Sequence, residues 1–414
     1  WFYRESHEEA SYYPQAGGRG DSALLHSVYM QIQVPFFTTF RHYNPEAELL
    51  FFTNLEADQL PPFLTELFQR TRTEVVTLPY RNRPPKGWYK AWMNQFYVYD
   101  VMQAMERRMQ PDDTLLICDA DCLCLESLDN LFQTVHTHGS ALYDMNYPKG
   151  YLINGTTLEE METIYISCYG EKPSRPICYY GGEFIALRAD LITGVTREFP
   201  LLWQHNFNLP PDVPRLHEEA HMFSLLAERL RFRNNLGNQF TKRMWTGKAY
   251  NNVCPGDENL PIWHLPSEKK FGLHELYLLF MRDKTIRDEK DFRRKAEKYC
   301  GVPRTCLQKK AKDMLSVLKT KIIFQLANGR KFPERKNRQR ADVGQHRQRC
   351  TTHPRHFIRH LFGPIAFSFR LRYGRSITGI HSHSQYHTRQ RFPYGISQSE
   401  RSAPRRLQRR ILVQ

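Results

Sequence analysis

The sequence predicts an α/β fold in which a mostly parallel sheet is flanked by helices. Short runs of apolar residues, typical of strands buried on both faces, alternate with longer segments in which apolar residues recur every three or four positions. The chain has 414 residues, 41% of them hydrophobic, so it can bury one large core or two smaller ones. No run of about 18 apolar residues is present, so no transmembrane helix is expected.

The first part of the chain predicts a succession of strands and helices after a loose lead-in over residues 1–20. A first strand is expected between Ser22 and Gln33. A helix from Phe36 to Tyr43 should end before Pro45, because proline disfavours helix in the preceding residue. The next predicted elements are a strand, a helix, a strand and a helix: Leu49–Thr53, Asp58–Phe68, Glu74–Leu78 and Trp92–Met109.

Two aspartates follow the next predicted strand, Leu115–Cys118. Asp119 and Asp121 would stand at its carboxyl end, where open α/β sheets bind ligands. Unpaired charges beside a core are costly, and a divalent cation that holds a diphosphate would explain them. The alternative is a solvated loop or a helix cap, since an Asp-x-Asp triplet occurs by chance in most proteins of this size.

The rest of the predicted domain alternates strands, loops and helices. Residues 145–176 should be rich in loops. A turn at Gly181-Gly182 should lead into a strand, and glycines at such a place either allow a ligand to approach the backbone closely or form a tight corner. Glu218-Glu219 opens a helix, a position that the helix dipole also favours for carboxylates. The other predicted elements are a helix from Ser127, a strand Ser140–Asp144, the segment Ile262–Pro266 with His264, and a basic amphipathic helical region over 288–330. This last region could pack on the sheet or lie on a membrane surface.

The net charge of +16 belongs to the tail of the chain. Residues 331–414 carry 19 Lys and Arg against three acidic residues, whereas residues 1–330 carry 40 of each sign. The folded part therefore lacks the charge balance of a nucleic-acid-binding protein. The tail is expected to be disordered, either as an arm that binds a polyanion or as a stretch translated in the wrong reading frame.

The nine cysteines include no Cys-x-x-Cys pair, which argues against a zinc ribbon and favours a reducing compartment. A cytoplasmic or membrane-peripheral location is therefore favoured. The lumen of the Golgi remains open, because residue 1 is Trp and an N-terminal segment could be missing.

Taken in order, the motifs resemble those of nucleotide-sugar-dependent glycosyltransferases of the GT-A fold, over roughly residues 20–275. The resemblance implies a Rossmann-like catalytic domain over 21–280. The pattern and composition of the rest predict a helical extension over 281–330 and the Arg-rich tail 331–414. The motifs that carry it are the loop with Lys90, Asp119-Ala120-Asp121, Gly181-Gly182, Glu218-Glu219 and Trp263-His264.

In such enzymes the Asp-x-Asp pair binds Mn²⁺ or Mg²⁺ on the donor diphosphate and contacts the ribose. The resemblance implies these roles for Asp121 and Asp119, with Lys90, Lys269, Gly181 and Gly182 also at the donor. The glycogenin-like group adds a late histidine, in a His-x-x-Gly-x-x-Lys motif, as a third metal ligand. His264 with Lys269 or Lys270 is similar to it, which implies that His264 is a metal ligand. Pro266-Ser267 departs from the pattern, and a core or surface histidine is the alternative.

His217-Glu218-Glu219-Ala220-His221 is similar to the His-Asp-Glu-Ser-His stretch of the blood-group and α1,3-galactosyltransferase group. This implies that Glu219 is the catalytic carboxylate and that Glu218 lies beside the donor sugar. Glu218 and Ala220 differ from that group, so the contacts to the sugar are left open.

The expected function is metal-dependent transfer of a hexose from a nucleoside-diphosphate sugar, a UDP-sugar by preference, to a hydroxyl group of a glycan, lipid or protein, with retention. One alternative is a metal-dependent nucleotidyltransferase, which would normally need a third carboxylate on a neighbouring strand. Another is a protein that binds RNA, a membrane surface or another polyanion through residues 288–414.

Overall fold

The computed structural model describes residues 1–13, 18–89, 91–247, 250–311, 313–315 and 409–413. The described helices are α1 Ala23–Tyr43, α2 Pro62–Thr71, α3 Tyr97–Glu106, α4 Asp129–His138, α5 Leu158–Tyr169, α6 Ala189–Asn208, α7 Glu219–Arg229, α8 Gly272–Asp283 and α9 Glu289–Cys300. The described strands are β1 Tyr12–Tyr13, β2 Gly18–Arg19, β3 Glu48–Thr53, β4 Thr73–Thr77, β5 Thr114–Cys118, β6 Cys122–Cys124, β7 Ser140–Asp144, β8 Tyr180–Arg188, β9 Thr241–Arg243, β10 Ile262–His264 and β11 Arg409–Val413.

The central sheet has the strand order β4-β3-β11-β5-β8-β7. All of these strands run in the same direction except β8, which is antiparallel to both β5 and β7. The apolar runs Leu49–Phe52 and Leu115–Cys118 are fully buried, as expected for strands covered on both faces. Helices pack along the sheet, with α2 against β4, α4 against β7, and α6 and α7 against β8. The prediction of a mostly parallel sheet flanked by helices is confirmed.

Strand β11 lies in the middle of this sheet, although it is far along the chain from its neighbours. It pairs in parallel with β3 and β5, and Ile411 and Leu412 are fully buried. Arg410 forms ion pairs with Glu48 and Asp113, at 2.5 and 2.9 Å. The expectation of a disordered tail is therefore wrong for residues 409–413, because their apolar run fits a gap between two strands. Residues 331–408 lie outside the described residues.

A second sheet of three strands has the order β6-β10-β9. Strand β10 is antiparallel to β6 and parallel to β9, so His264 lies opposite Cys122 on one side and opposite Arg243 on the other. Because β6 begins directly after Asp121, this small sheet brings three distant segments together at the carboxyl end of β5.

Two stretches of the chain differ from their predicted local structure. Residues 23–33, predicted as a strand, belong to helix α1, whose N-cap Ser22 accepts a hydrogen bond from the backbone N–H of Leu25 at 3.2 Å. This helix is buried over much of its circumference, so its apolar residues show no clear helical period. Residues 145–176 are rich in loops, as predicted, but they also contain α5, whose start is marked by a capping box between Thr157 and Glu160.

Helix α9 and the helical residues 307–311 and 313–315 fall within the helical region predicted over 288–330, of which residues 316–330 lie outside the described part. The boundary expected at residue 280 falls inside α8. None of the helices described combines the length and the apolar character needed to cross a bilayer.

Candidate metal and donor site

Asp119 and Asp121 lie in the turn that joins β5 to β6. The turn is closed by the backbone N–H of Cys122, which donates to the carbonyl oxygen of Asp119 at 3.0 Å. Asp121 is only 1% exposed to solvent, whereas the side chain of Asp119 is 31% exposed. The pair therefore has one buried member and one member that reaches solvent.

His264 at the end of β10 lies beside both aspartates. Its Nε2 atom is 3.3 Å from Oδ2 of Asp119 and 3.4 Å from Oδ2 of Asp121. The backbone N–H of Leu265 donates to the carbonyl oxygen of Asp121 at 3.0 Å, which fixes β10 against the turn. One potential ligand atom from each of the three residues lies within 4.8 Å of the others.

A third carboxylate, Glu183 of β8, is buried on the other side of the His264 ring. Because β8 runs antiparallel to β5, its first residues stand at the carboxyl end of β5, and the backbone N–H of Asp119 donates to the carbonyl oxygen of Glu183 at 3.2 Å. Oε1 of Glu183 is 3.4 Å from Nδ1 of His264. Arg243 of β9 donates through Nε and Nη2 to the two oxygens of Glu183, at 2.5 and 2.6 Å.

Lys269 places a buried ammonium group next to Asp121. It follows a short 3₁₀ turn, Pro266–Glu268, after His264, and its Nζ forms an ion pair with Oδ2 of Asp121. The same Nζ lies 5.7 Å from the centre of the Tyr29 ring of α1, a cation–π arrangement. Its position is therefore set by both a charge and an aromatic face.

The electrostatics of the site follow from these contacts. Burial raises the pKa of Asp119, and the neighbouring charge of Asp121 adds to the effect although His264 opposes it. Burial alone would also raise the pKa of Asp121, but Lys269 and His264 hold it below its usual range. Burial would lower the pKa of His264, yet Asp121 and the other carboxylates raise it well above its usual value. Asp121 is thus held as a carboxylate, the form that binds cations.

Glu218 is the N-cap of helix α7, and Glu219 is the first residue of that helix. Glu218 is held at both oxygens, because Tyr179 Oη donates to Oε1 at 2.5 Å and Asn154 Nδ2 donates to Oε2 at 2.6 Å. Glu219 is 4% exposed, and its Oε2 has no hydrogen-bond partner in the described part of the chain. Burial raises the pKa of Glu219 well above its usual value, followed by Glu218 and, more weakly, Asp119. Burial and the neighbouring charge of Glu218 therefore disfavour the ionised form of Glu219.

The donor atoms fit a divalent cation. Both ring nitrogens of His264 are buried, and neither makes an aligned hydrogen bond within the described residues, even though carboxylate oxygens lie within 3.4 Å of each. A buried polar atom without a partner needs an explanation, and a bound ion is one. Two carboxylates and one imidazole form a mixed oxygen and nitrogen donor set of the kind that first-row divalent metals accept.

The structure brings together most of the residues that the sequence singles out. Lys90 lies outside the described residues. Gly181 and Gly182 lie inside strand β8 and not in a turn, so that part of the prediction is wrong. A Cβ atom on Gly181 would stand 2.3 Å from Oε2 of Glu183, so this glycine leaves room for the carboxylate of Glu183.

Sequence reasoning missed Glu183 and Arg243. A signal for Glu183 was present, because it is a lone charged residue at the head of the apolar run Phe184–Leu187. Arg243 follows Thr241-Lys242 in a polar segment, and only the pairing of β9 with β10 places it at the site.

No protein-family model matches the chain, and no curated protein matches it. Among solved structures, the chain is similar to an active-site mutant of LgtC, with 12% identity, a TM-score of 0.37, and coverage of 67% of this chain and 94% of that one. Galactosyltransferase LgtC in complex with donor and acceptor sugar analogues gives the same identity and coverage with a TM-score of 0.35. Mouse xyloside xylosyltransferase 1 in its apo form gives 10% identity, a TM-score of 0.33, and coverage of 57% and 91%. These proteins are glycosyltransferases by name, the class that the sequence motifs resemble.

Proposed function

We propose that this protein is a metal-dependent glycosyltransferase that moves a hexose from a nucleoside-diphosphate sugar, by preference a UDP-sugar, to a hydroxyl group of a glycan, lipid or protein. The observation that supports this best is the cluster of Asp119, Asp121 and His264 at the carboxyl edge of the sheet.

The charge balance of the cluster favours a cation. Three carboxyl groups of the cluster face two permanently charged cations: Asp119, Asp121 and Glu183 against Lys269 and Arg243. Asp119, Asp121 and His264 would hold Mn²⁺, or Mg²⁺ with fewer protein ligands. A dication at that place supplies the positive charge that stabilises a departing diphosphate.

Residues of the chain itself supply the remaining chemistry. Lys269 adds a fixed positive charge next to Asp121, and such a charge would help to stabilise a departing diphosphate. Glu219 offers a carboxyl oxygen with no partner among the described residues. Such a group can stabilise an oxocarbenium-like centre, attack it, or accept the proton of the acceptor hydroxyl. We favour the first two roles, and with them retention of configuration at the sugar.

The test is to incubate the protein with a panel of nucleotide sugars and simple acceptors, with Mn²⁺ or with EDTA, and to identify the products by NMR. We expect release of nucleoside diphosphate that requires Mn²⁺ and a new glycoside with the anomeric configuration of the donor. Release that continues unchanged in EDTA would contradict the role of the metal, and a product of opposite configuration would contradict retention.

Three variants connect this reaction to the site. Asp121→Asn keeps the shape of the side chain and should abolish both turnover and Mn²⁺-dependent binding of the nucleotide. Glu219→Gln should lower turnover by at least 100-fold with little change in donor affinity. Asp112→Asn is the matched control, since Asp112 is an exposed aspartate just before the same strand, and it should leave both unchanged.

Glu183 favours one competing function, because it is a third carboxylate on a strand next to Asp119, as a nucleotidyltransferase would normally need. Both of its oxygens already accept hydrogen bonds from Arg243, which makes it a poor ligand for a second metal. The products separate the two reactions, since a nucleotidyltransferase would release pyrophosphate from a nucleoside triphosphate.

A further inference from the structure

We propose that Glu183 and Arg243 form a positioning pair for His264, which holds the imidazole so that Nε2 faces Asp119 and Asp121. This inference rests on the proposed function, because it assigns the pair a role in binding the metal of that same site. Neither residue would touch the metal or the substrate.

The first argument is the placement of the His264 ring between two sets of carboxylates. Nε2 faces Asp119 and Asp121, and Nδ1 faces Oε1 of Glu183 at 3.4 Å. A carboxylate can only accept a hydrogen bond, so Glu183 favours the tautomer with the proton on Nδ1 and the lone pair on Nε2. At 3.4 Å this contact is long for a hydrogen bond, and such contacts often tighten once a ligand is bound.

The second argument is that Glu183 itself has little freedom to move. Arg243 binds it through two parallel N–H···O contacts, a geometry that fixes the plane of a carboxylate. Arg243 is in turn fixed by its backbone, because it lies opposite His264 in the pairing of β9 with β10 and its N–H donates to Tyr143 Oη at 3.0 Å. The small sheet therefore carries both the histidine and the clamp on its orienting partner.

The third argument is the absence of a side chain at position 181. A Cβ atom there would stand 2.3 Å from Oε2 and 2.7 Å from Cδ of Glu183. The carboxylate thus lies directly over the backbone of the strand that carries it. A larger residue at 181 would push Glu183 towards or away from His264 without removing any polar group.

The experiment measures Mn²⁺ affinity directly, from the signal of free Mn²⁺ in EPR titrations of the full chain, so turnover is not needed. Residues that orient metal ligands typically change metal affinity about 10- to 100-fold when mutated. We expect a weakening of that size for Glu183→Gln and for Gly181→Ala. If Arg243 acts only through Glu183, Arg243→Gln should weaken binding in the parent chain and add no further loss in the Glu183→Gln background.

A matched control separates positioning from general loss of structure. Glu228, near the other end of α7, is buried to a similar degree and pairs with Arg233 at 2.5 Å. It lies nine residues, or about 14 Å of helix, beyond Glu219. Glu228→Gln should lower the free energy of unfolding about as much as Glu183→Gln does, and leave Mn²⁺ affinity within twofold of the parent.

The results also separate this inference from the proposed function. If the parent binds Mn²⁺ and His264→Ala weakens it, but Glu183→Gln and the folded double variant Glu183→Gln/Arg243→Gln bind as tightly as the parent, the positioning pair is wrong and the metal site stands. If the parent binds no Mn²⁺, both proposals are wrong. If Glu228→Gln weakens Mn²⁺ binding as much as Glu183→Gln, the effect of Glu183 is structural and the inference is again wrong.

Discussion

Individual side chains at the site differ in how their charges are balanced. Asp121 and Glu183 are both almost fully buried, and each is paired with its own cation, Lys269 and Arg243 respectively. Removal of one partner from a buried pair typically costs about 3–5 kcal/mol, because the remaining charge has no compensation. Asp119 and His264 have no permanently charged partner of that kind in the described part of the chain. A metal ion bound between Asp119 and His264 would therefore contribute most to the stability of this part of the site.

Glu228 shows how a buried carboxylate makes stability depend on pH. Burial alone would raise its pKa, but hydrogen bonds from Arg233 and Ser174 hold the pKa below the usual value of 4.5. Because the folded-state pKa is the lower one, the stabilisation is complete above pH 4.5 and is lost as the pH falls through the folded-state pKa.

We therefore expect the difference in unfolding free energy between the parent and Glu228→Gln to be largest near neutral pH and to shrink below pH 4.5. Urea unfolding at a series of pH values measures it. Glu8→Gln, at an exposed position, should change the free energy by less than about 0.5 kcal/mol at every pH. A difference for Glu228 that stays constant on acidification would contradict the role of its charge.

At the scale of elements, strand β11 contributes two fully buried side chains, Ile411 and Leu412, to the middle of the sheet. Replacement of a buried leucine by alanine typically costs about 2–5 kcal/mol, from lost burial and from the cavity that remains. Leu412→Ala should lower the free energy of unfolding by that amount. Leu307→Ala is the matched control, since Leu307 is 83% exposed, and it should stay within about 0.5 kcal/mol of the parent in the same urea titration. Equal effects of the two substitutions would mean that β11 does not hold this place in solution.

The local sequence pattern predicts those elements whose burial gives their apolar residues one clear periodicity. The buried strands Leu49–Thr53 and Leu115–Cys118 and the helix of Glu218-Glu219 lie close to where the pattern predicts them. The first half of helix α1, residues 23–33, has the pattern of a strand because the helix is buried on so many sides that no apolar stripe remains, whereas its second half is predicted correctly as a helix. Strand β11 could not be predicted, because five residues with no turn signal become a strand only through the gap between β3 and β5.

The same difference between local pattern and long-range contact applies to the residues of the candidate site. Asp119 and Asp121 could be predicted, because they follow a strand that is recognisable by itself. Arg243 depends on the pairing of β9 with β10, a contact between segments that no local pattern relates. The sequence leaves the role of His264 open for the same reason, since its carboxylate neighbours, Asp119, Asp121 and Glu183, come from distant parts of the chain.

At the scale of the whole molecule, the tail combines two features that must be tested separately. Of its 19 Lys and Arg residues, 17 lie within residues 331–408, while residues 409–413 form β11. Removing everything after residue 330 would therefore remove both a cationic segment and a strand of the sheet. Loss of activity after such a truncation would say nothing about the charges.

Two variants separate the charge from the strand. Replacing the 17 Lys and Arg residues of 331–408 by Gln should abolish any binding of heparin or RNA that weakens steeply with salt, because that binding depends on counterion release, and it should leave the midpoint of thermal unfolding unchanged. Deleting residues 409–414 should do the opposite, since it keeps those charges but removes Ile411 and Leu412 from the core. Binding that survives the loss of the 17 charges would exclude the tail as the polyanion site. An unchanged unfolding midpoint after the deletion would show that the sheet is stable without β11, and the position of that strand in the fold would then be wrong.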